Sequence, residues 1–272
     1  MPRTDARTRP RRRGHPLAVA LGATLLASAA CAGPAAPAAD SGGSPDRVTG
    51  TVTVLAAASL TESFTRIGRD FEAAHPGTTV TFSFAGSSQL ARQITSGAPA
   101  DVFAAASPAT MRTVTDAGDN AGEPVIFARN QLVIALPRGN PDSVTGLADL
   151  ARPGLKVALC AEQVPCGAAA KTVLDAAGTG LTPVTLEQDV RAALAKVRLG
   201  EVDAALVYRT DAIAAAEEIT GVEFPESAGA INDYEVVAVD NSANPAGARA
   251  FVDHLGTDGA REVLVDTGFQ TP

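Results

Sequence analysis

From residue 48 onward, short apolar runs alternate with stretches whose apolar residues recur every three or four positions. Thr51–Leu55 is a short β-branched and apolar run, as a buried strand requires. Leu60–Ala74 follows with Phe64, Ile67 and Phe71 on one helical face, and His75-Pro76-Gly77 stops it. The same reading predicts further strands at Thr78–Phe84, Asp101–Ala105, Gln131–Leu136, Lys156–Cys160, Ala204–Tyr208 and Glu235–Val239. It predicts helices at Gln89–Ser96, Pro108–Ala117, Cys166–Ala177, Val190–Leu199, Asp211–Glu218, Pro245–Leu255 and Gly259–Thr267. No repeat of fixed period is visible. Alternation of this kind predicts an α/β architecture with mostly parallel sheets. Its length suits two lobes, with a ligand in the crevice at the carboxyl ends of the strands.

The first thirty residues have a different pattern. Arg3, Arg7, Arg9, Arg11, Arg12 and Arg13 precede an apolar run from Leu17 to Ala30 that ends in small residues. Basic start, apolar middle and small-residue end describe a secretory signal over residues 1–30. The run falls short of the roughly 18 apolar residues a spanning helix needs, although an uncleaved anchor is the competing reading. Cys31 follows Ser28-Ala29-Ala30 directly and resembles a bacterial lipobox, in which that Cys becomes the lipidated first residue. The lipobox prefers Leu where Ser28 stands, so a plain cut near Ala27-Ser28-Ala29, leaving a free periplasmic protein, competes with lipidation. Arg12-Arg13 also allows twin-arginine export. Residues 31–47, rich in Ala, Pro, Gly and Ser, read as a flexible tether.

Composition narrows the function. Hydrophobic residues are 46% and charged residues 19%, enough for a packed core. Aromatics are only 4%, with no Trp, so the core is built mainly from Ala, Val, Leu and Ile. Without the six arginines and one aspartate of residues 1–30, sixteen basic and twenty-nine acidic residues remain, a net charge near −13. Such a surface argues against nucleic acid as a partner. Any anion must then be held by local donors. Beyond Cys31, Cys160 and Cys166 form an even remainder, which in an exported protein reads as a disulfide. Their spacing is wrong for a C-x-x-C redox site, and neither His75 nor His254 lies near them in sequence, so a zinc site is not expected. The bridge is either a stability staple or a device that shapes a loop.

Several turns between strand and helix carry candidate chemistry. Ser59 and Glu62 have the spacing of an S-x-x-E capping box, and Ser59 is alternatively a cleft residue. Ser87 and Ser88 lie in a second small, hydroxyl-bearing turn. Helix N-termini at both turns offer unpaired N–H groups and a favourable dipole to an anion. Pro165 suits a helix start, leaving the amide of Cys166 free. Asp189 reads as an N-cap, with the Val190 N–H as donor and its side chain in the core. Tyr208, at a strand's carboxyl end, can donate one hydrogen bond or simply pack.

Taken together, Thr53-Val-Leu-Ala-Ala-Ala-Ser59-Leu-Thr, Phe84-Ala-Gly-Ser-Ser-Gln-Leu-Ala-Arg-Gln-Ile94 and Gly97-Ala-Pro-Ala-Asp-Val-Phe103 resemble the N-terminal half of bacterial molybdate-binding proteins. Val164-Pro-Cys-Gly167, Asp189-Val-Arg191 and Leu206-Val-Tyr208 with Asp211 match the second half in order and spacing, so the resemblance runs from about Val52 to Phe269. It implies a two-lobed type II periplasmic binding protein fold, with lobe I at 48–133 plus 240–272 and lobe II at 134–239. It implies molybdate or tungstate as ligand, held by the hydroxyl and N–H groups of Ser59 and Ser87, the backbone N–H groups of Cys166 and Val190, and the phenol of Tyr208. The oxyanion would be bound through its oxygens, with no direct metal-ion ligand and no cofactor. Where this chain has Cys166 the family often has Ala, and Gly86 stands where some members have Ser, a change of little cost if only Ser87 binds. The implied partners are an ABC permease and its ATPase, reached by a monomer on the outer face of the cytoplasmic membrane.

Three other readings compete. One is a binding protein for sulfate, phosphate or another tetrahedral oxyanion on the same fold. Another is an enzyme using a thiol of Cys160 or Cys166, or Ser59 as nucleophile, but no base is positioned and no G-x-S-x-G elbow surrounds a serine. The last is an adhesion or scaffold lipoprotein without a small ligand.

Overall fold

The computed structural model describes residues 48–272. The expected signal sequence, the lipidation site Cys31 and the tether lie outside the described residues. Among the described residues ten strands occur in chain order: β1 Gly50–Ala57, β2 Thr78–Ala85, β3 Val102–Ala105, β4 Val125–Asn130, β5 Leu132–Pro137, β6 Val157–Cys160, β7 Thr185–Glu187, β8 Ala204–Tyr208, β9 Ile219–Val222 and β10 Asn232–Ala238. The α-helices are α1 Thr61–Ala74, α2 Ser87–Thr95, α3 Pro108–Thr115, α4 Pro165–Ala177, α5 Val190–Arg198, α6 Arg209–Ala214, α7 Pro245–His254 and α8 Asp258–Asp266. No helix among the described residues is long and apolar enough to cross a membrane.

The strands form two sheets, in the orders β2-β1-β3-β10-β4 and β7-β6-β8-β5-β9. In the first, β2, β1 and β3 are parallel, while β10 is antiparallel to both β3 and β4. In the second, β7, β6 and β8 are parallel, while β5 is antiparallel to both β8 and β9. Each sheet is therefore mixed, with four strands pointing one way. The single reversed strand in each is the one that has just crossed from the other sheet.

Burial explains which strands form the centre. β1 buries Val52, Val54 and Leu55, and β8 is buried throughout. On the first sheet, Phe64 and Phe71 of α1 meet Phe251 of α7 at 5.9 and 5.3 Å between ring centres, both edge-on. Such pairs add packing energy beyond their area. Asp101 is buried and locks three segments. It accepts from the Thr53 and Asn244 N–H groups and from the Ser242 hydroxyl.

Three expectations need correction. The predicted strand Glu235–Val239 was assigned to the second lobe, but β10 pairs in the first sheet, so the chain returns before Asn232 rather than at 240. The outward crossing lies at Gln131, between β4 and β5, rather than at 133/134. Helix α6 also starts earlier and ends sooner than Asp211–Glu218. It spans six residues, because the chain turns at Ala215–Glu218 to enter β9.

Candidate ligand-binding site

The carboxyl ends of three parallel strands from each sheet meet at one small cavity. β1 delivers Ala57, Ala58 and Ser59, β2 delivers Gly86 and Ser87, and β3 delivers Ala106. From the facing sheet, β6 leads to Val164, Pro165 and Cys166, β7 to Gln188, Asp189 and Val190, and β8 ends on Tyr208. The cavity measures about 20 Å³, far below the roughly 300 Å³ at which sites for drug-sized ligands begin. It suits a small ion. All five residues expected at the site, Ser59, Ser87, Cys166, Val190 and Tyr208, line it together. None is more than 3% exposed. A ligand can enter only if the two lobes part.

Helix geometry supplies the donors. Ser87 is the first residue of α2, Val190 the first of α5, and Cys166 the second of α4, behind Pro165. Ser59 sits in a single 3-10 turn, Ala58–Leu60, that runs into α1. The leading N–H groups of a helix have no partner within it. Four helix starts therefore aim unpaired N–H groups and positive dipole ends at one point, the arrangement that attracts an anion. Among the described residues, no lysine or arginine lines the cavity. Its one charged lining residue, Asp189, is occupied as the N-cap of α5, accepting from the Ala192 N–H at 2.9 Å.

The side chains complete the set. Ser87 Oγ accepts from the Ala106 N–H at 3.1 Å, so its own proton is free for the cavity. Tyr208 Oη is buried and has no hydrogen-bond partner among the described residues. An orphaned donor of that kind costs about 1–3 kcal/mol unless something fills its place. Burial pushes the Tyr208 phenol well above its ordinary pKa, so it remains a neutral donor. Val190 keeps its side chain in the core and turns only its backbone to the site.

The capping box expected at Ser59 and Glu62 does not form. Leu60 is the N-cap of α1, and Ser59 Oγ instead lies 2.8 Å from Tyr234 Oη. Glu62 reaches across to Arg191 of α5, whose Nη1 donates to Oε1 at 2.6 Å. Tyr234 and Asn130, which lie behind Ser59, were not among the residues singled out from sequence.

Two further features hold the lobes together around the cavity. Ser88 Oγ donates to the Gln163 carbonyl at 2.8 Å, joining α2 to the loop before α4. Gly86 packs so tightly on the Gln188 backbone that a Cβ there would overlap the carbonyl oxygen. Glycine at 86 is thus a requirement of close lobe contact, not the inexpensive difference expected. Cys160 and Cys166 are bridged, which ties the end of β6 to the first turn of α4.

The chain matches the model of the bacterial extracellular solute-binding protein family over residues 52–270. It is 44% identical over 250 residues to the molybdate-binding protein ModA of Mycobacterium tuberculosis, covering 92% of this chain and 95% of that one. It is 36% identical over 231 residues to the molybdate-binding protein ModA of Escherichia coli, covering 81% and 89%. Among solved structures, the Azotobacter vinelandii periplasmic molybdate-binding protein superposes with a TM-score of 0.69 at 22% identity, covering 81% of this chain and 99% of that one. This last likeness shows the shared fold.

Proposed function

Because the chain belongs to the bacterial extracellular solute-binding proteins, and among them to the molybdate-binding ModA relatives, we propose that it captures molybdate outside the cytoplasm and delivers it to an ABC importer. The observation that carries this reading is the cavity itself. Four helix starts and the Tyr208 Oη, unpartnered among the described residues, converge on a space that none of their cationic side chains lines.

The mechanism follows from the donors. A dianion stripped of water needs every oxygen hydrogen-bonded, because an unpaired buried charge is very costly. The N–H groups of Ser59, Ser87, Cys166 and Val190, the two serine hydroxyls and the Tyr208 phenol offer seven neutral donors for four oxygens. Neutral donors of fixed direction accept a fully deprotonated oxyanion. They penalise one that carries a proton, since that proton finds no acceptor. Tungstate has the same charge and shape and is bound by the same groups. Closure of the lobes is a hinge motion about the two crossings, and the closed form is what the permease recognises. Lipidation of Cys31 would hold a monomer on the outer face of the cytoplasmic membrane, beside the permease and its ATPase.

Thermal unfolding with molybdate, tungstate, sulfate and phosphate tests this reading. A ligand at about 100 times its Kd adds about 2.7 kcal/mol. At roughly 2–4 °C per kcal/mol, the midpoint rises by several degrees. The rise is expected with molybdate and tungstate alone. A rise with sulfate or phosphate only assigns the site to another oxyanion, and no rise with any of the four removes the proposal.

A further inference from the structure

We infer that Tyr234, backed by Asn130, fixes the direction of the Ser59 hydroxyl, so that Ser59 meets the ligand only as a donor and Tyr234 is a specificity-determining positioning residue. The inference rests on the proposed function and concerns how the site rejects protonated oxyanions.

A serine hydroxyl has one proton and two lone pairs, and its neighbours decide where the proton goes. At Ser87 a backbone N–H decides, since Ala106 donates to Oγ. Ser59 has no such amide on its hydroxyl. Its Oγ shares a 2.8 Å hydrogen bond with Tyr234 Oη. Two hydroxyls alone could make that bond in either direction. Asn130 removes the choice. Its Oδ1 accepts from the Gln131 N–H at 3.0 Å, which settles the orientation of the amide. Its Nδ2 then donates to Thr210 Oγ1 at 2.9 Å and towards Tyr234 Oη at 3.5 Å. With a donor behind its oxygen, Tyr234 spends its proton on Ser59, and Ser59 keeps its own for the cavity. The polarity of this chain is thus set by a backbone amide at the crossing between the sheets.

The surroundings hold Tyr234 to this task. It is wholly buried and packs edge-on against Phe127, Tyr208 and Phe269. It lies where the β10–β4 register shifts, and an irregularity of that kind re-aims a side chain. Burial raises its phenol pKa, so the proton it donates is always present.

A site of donors alone rejects hydrogen phosphate, whose proton would need an acceptor. Without the Tyr234 hydroxyl, Ser59 could turn its lone pair to that proton. The test is calorimetric titration of the wild type, Tyr234→Phe, Ser59→Ala and the double variant with sodium molybdate and sodium phosphate. Tyr234→Phe is expected to bind phosphate measurably and to narrow the molybdate-to-phosphate ratio by about tenfold or more, the value of one hydrogen bond to a charged group. In the Ser59→Ala background, with no hydroxyl left to orient, the same substitution is expected to change nothing. Asn130→Asp is the second variant. It keeps an acceptor for the Gln131 N–H but draws the Tyr234 proton away from Ser59, so the ratio narrows again. No phosphate binding by Tyr234→Phe, an unchanged ratio, or an equal change in the Ser59→Ala background overturns the inference while leaving the proposed function standing. A wild type that binds no molybdate overturns the proposed function first, and this inference with it.

Discussion

Glu62 and Arg191 come from helices on different sheets and form an ion pair at 2.6 Å. Each immediately follows part of the site, Glu62 three residues after Ser59 and Arg191 one after Val190. The pair is two-fifths exposed on both sides, so it contributes about 0.2–1 kcal/mol. Arg191→Ala is therefore expected to weaken ligand binding by no more than about fivefold. The loss should shrink at high ionic strength, where exposed charges are screened. Titrations at low and high salt check both statements. A salt-independent loss would mean that Arg191 acts on the site itself rather than on closure.

Gly86→Ala separates folding from closure. The added methyl overlaps the Gln188 carbonyl only when the lobes are together. The variant is expected to fold, to show a larger ligand-free radius of gyration by X-ray scattering, and to bind at least about tenfold more weakly. That loss corresponds to a cost of about 1.4 kcal/mol or more for holding the lobes together, within the range for overpacking a tight contact. Unchanged affinity would show that the Gln188 backbone yields without cost.

Tyr208→Phe should move stability and affinity in opposite directions. It deletes a buried hydroxyl with no partner among the described residues, so the ligand-free protein is expected to be as stable as the wild type or up to about 2 kcal/mol more stable. Oxyanion affinity should fall by roughly 10–100-fold, as for other hydrogen bonds to charged groups. Chemical denaturation and titration on the same samples test the pair of outcomes. A less stable ligand-free variant would mean that Tyr208 is chiefly a packing residue.

Asp211 predicts a pH dependence. It is buried, and neither carboxylate oxygen has a hydrogen-bond partner among the described residues. Burial raises its pKa to about 8. Arg191 opposes the rise, while Glu62 and Asp189 add to it. Its folded-state pKa thus lies above the unfolded value of 3.8. The unfolded chain releases the proton first, so the stabilisation is full below the unfolded pKa and is lost as pH rises through the folded one. Wild-type stability should decline between about pH 4 and 8 from this group. Asp211→Asn should flatten that part of the profile and be the more stable protein at pH 8. Urea midpoints measured from pH 5 to 9 decide it, and parallel profiles for the two proteins would contradict the assignment.

The sequence reading located the central strands and named five residues that the fold brings to one cavity, but it missed β4, β7 and β9. Those three are edge strands. An edge strand pairs on one side only and need not be continuously apolar. Val125 and Leu186 are more than half exposed, and Gly221 interrupts β9. β2, the remaining edge strand, was legible because its polar and apolar residues alternate from Thr79 to Phe84. The capping box at Ser59 failed because a local motif cannot report a competing partner 175 residues away. Tyr234 and Asn130 were missed for the same reason. Their positions in strands look like ordinary core, and only the second tyrosine of a chain with two of them gave a signal.

The reversed strand in each sheet has a consequence for biogenesis. The first sheet holds β1 to β4 from the front of the chain, yet β10 sits between β3 and β4. Until residue 238 arrives, β3 and β4 have no partner between them, and two of the sheet's four strand pairings do not exist. A chain that emerges from its N-terminus therefore cannot complete its first lobe early. Nearly all of it must be present before either the sheet or the Tyr234 support of Ser59 can form.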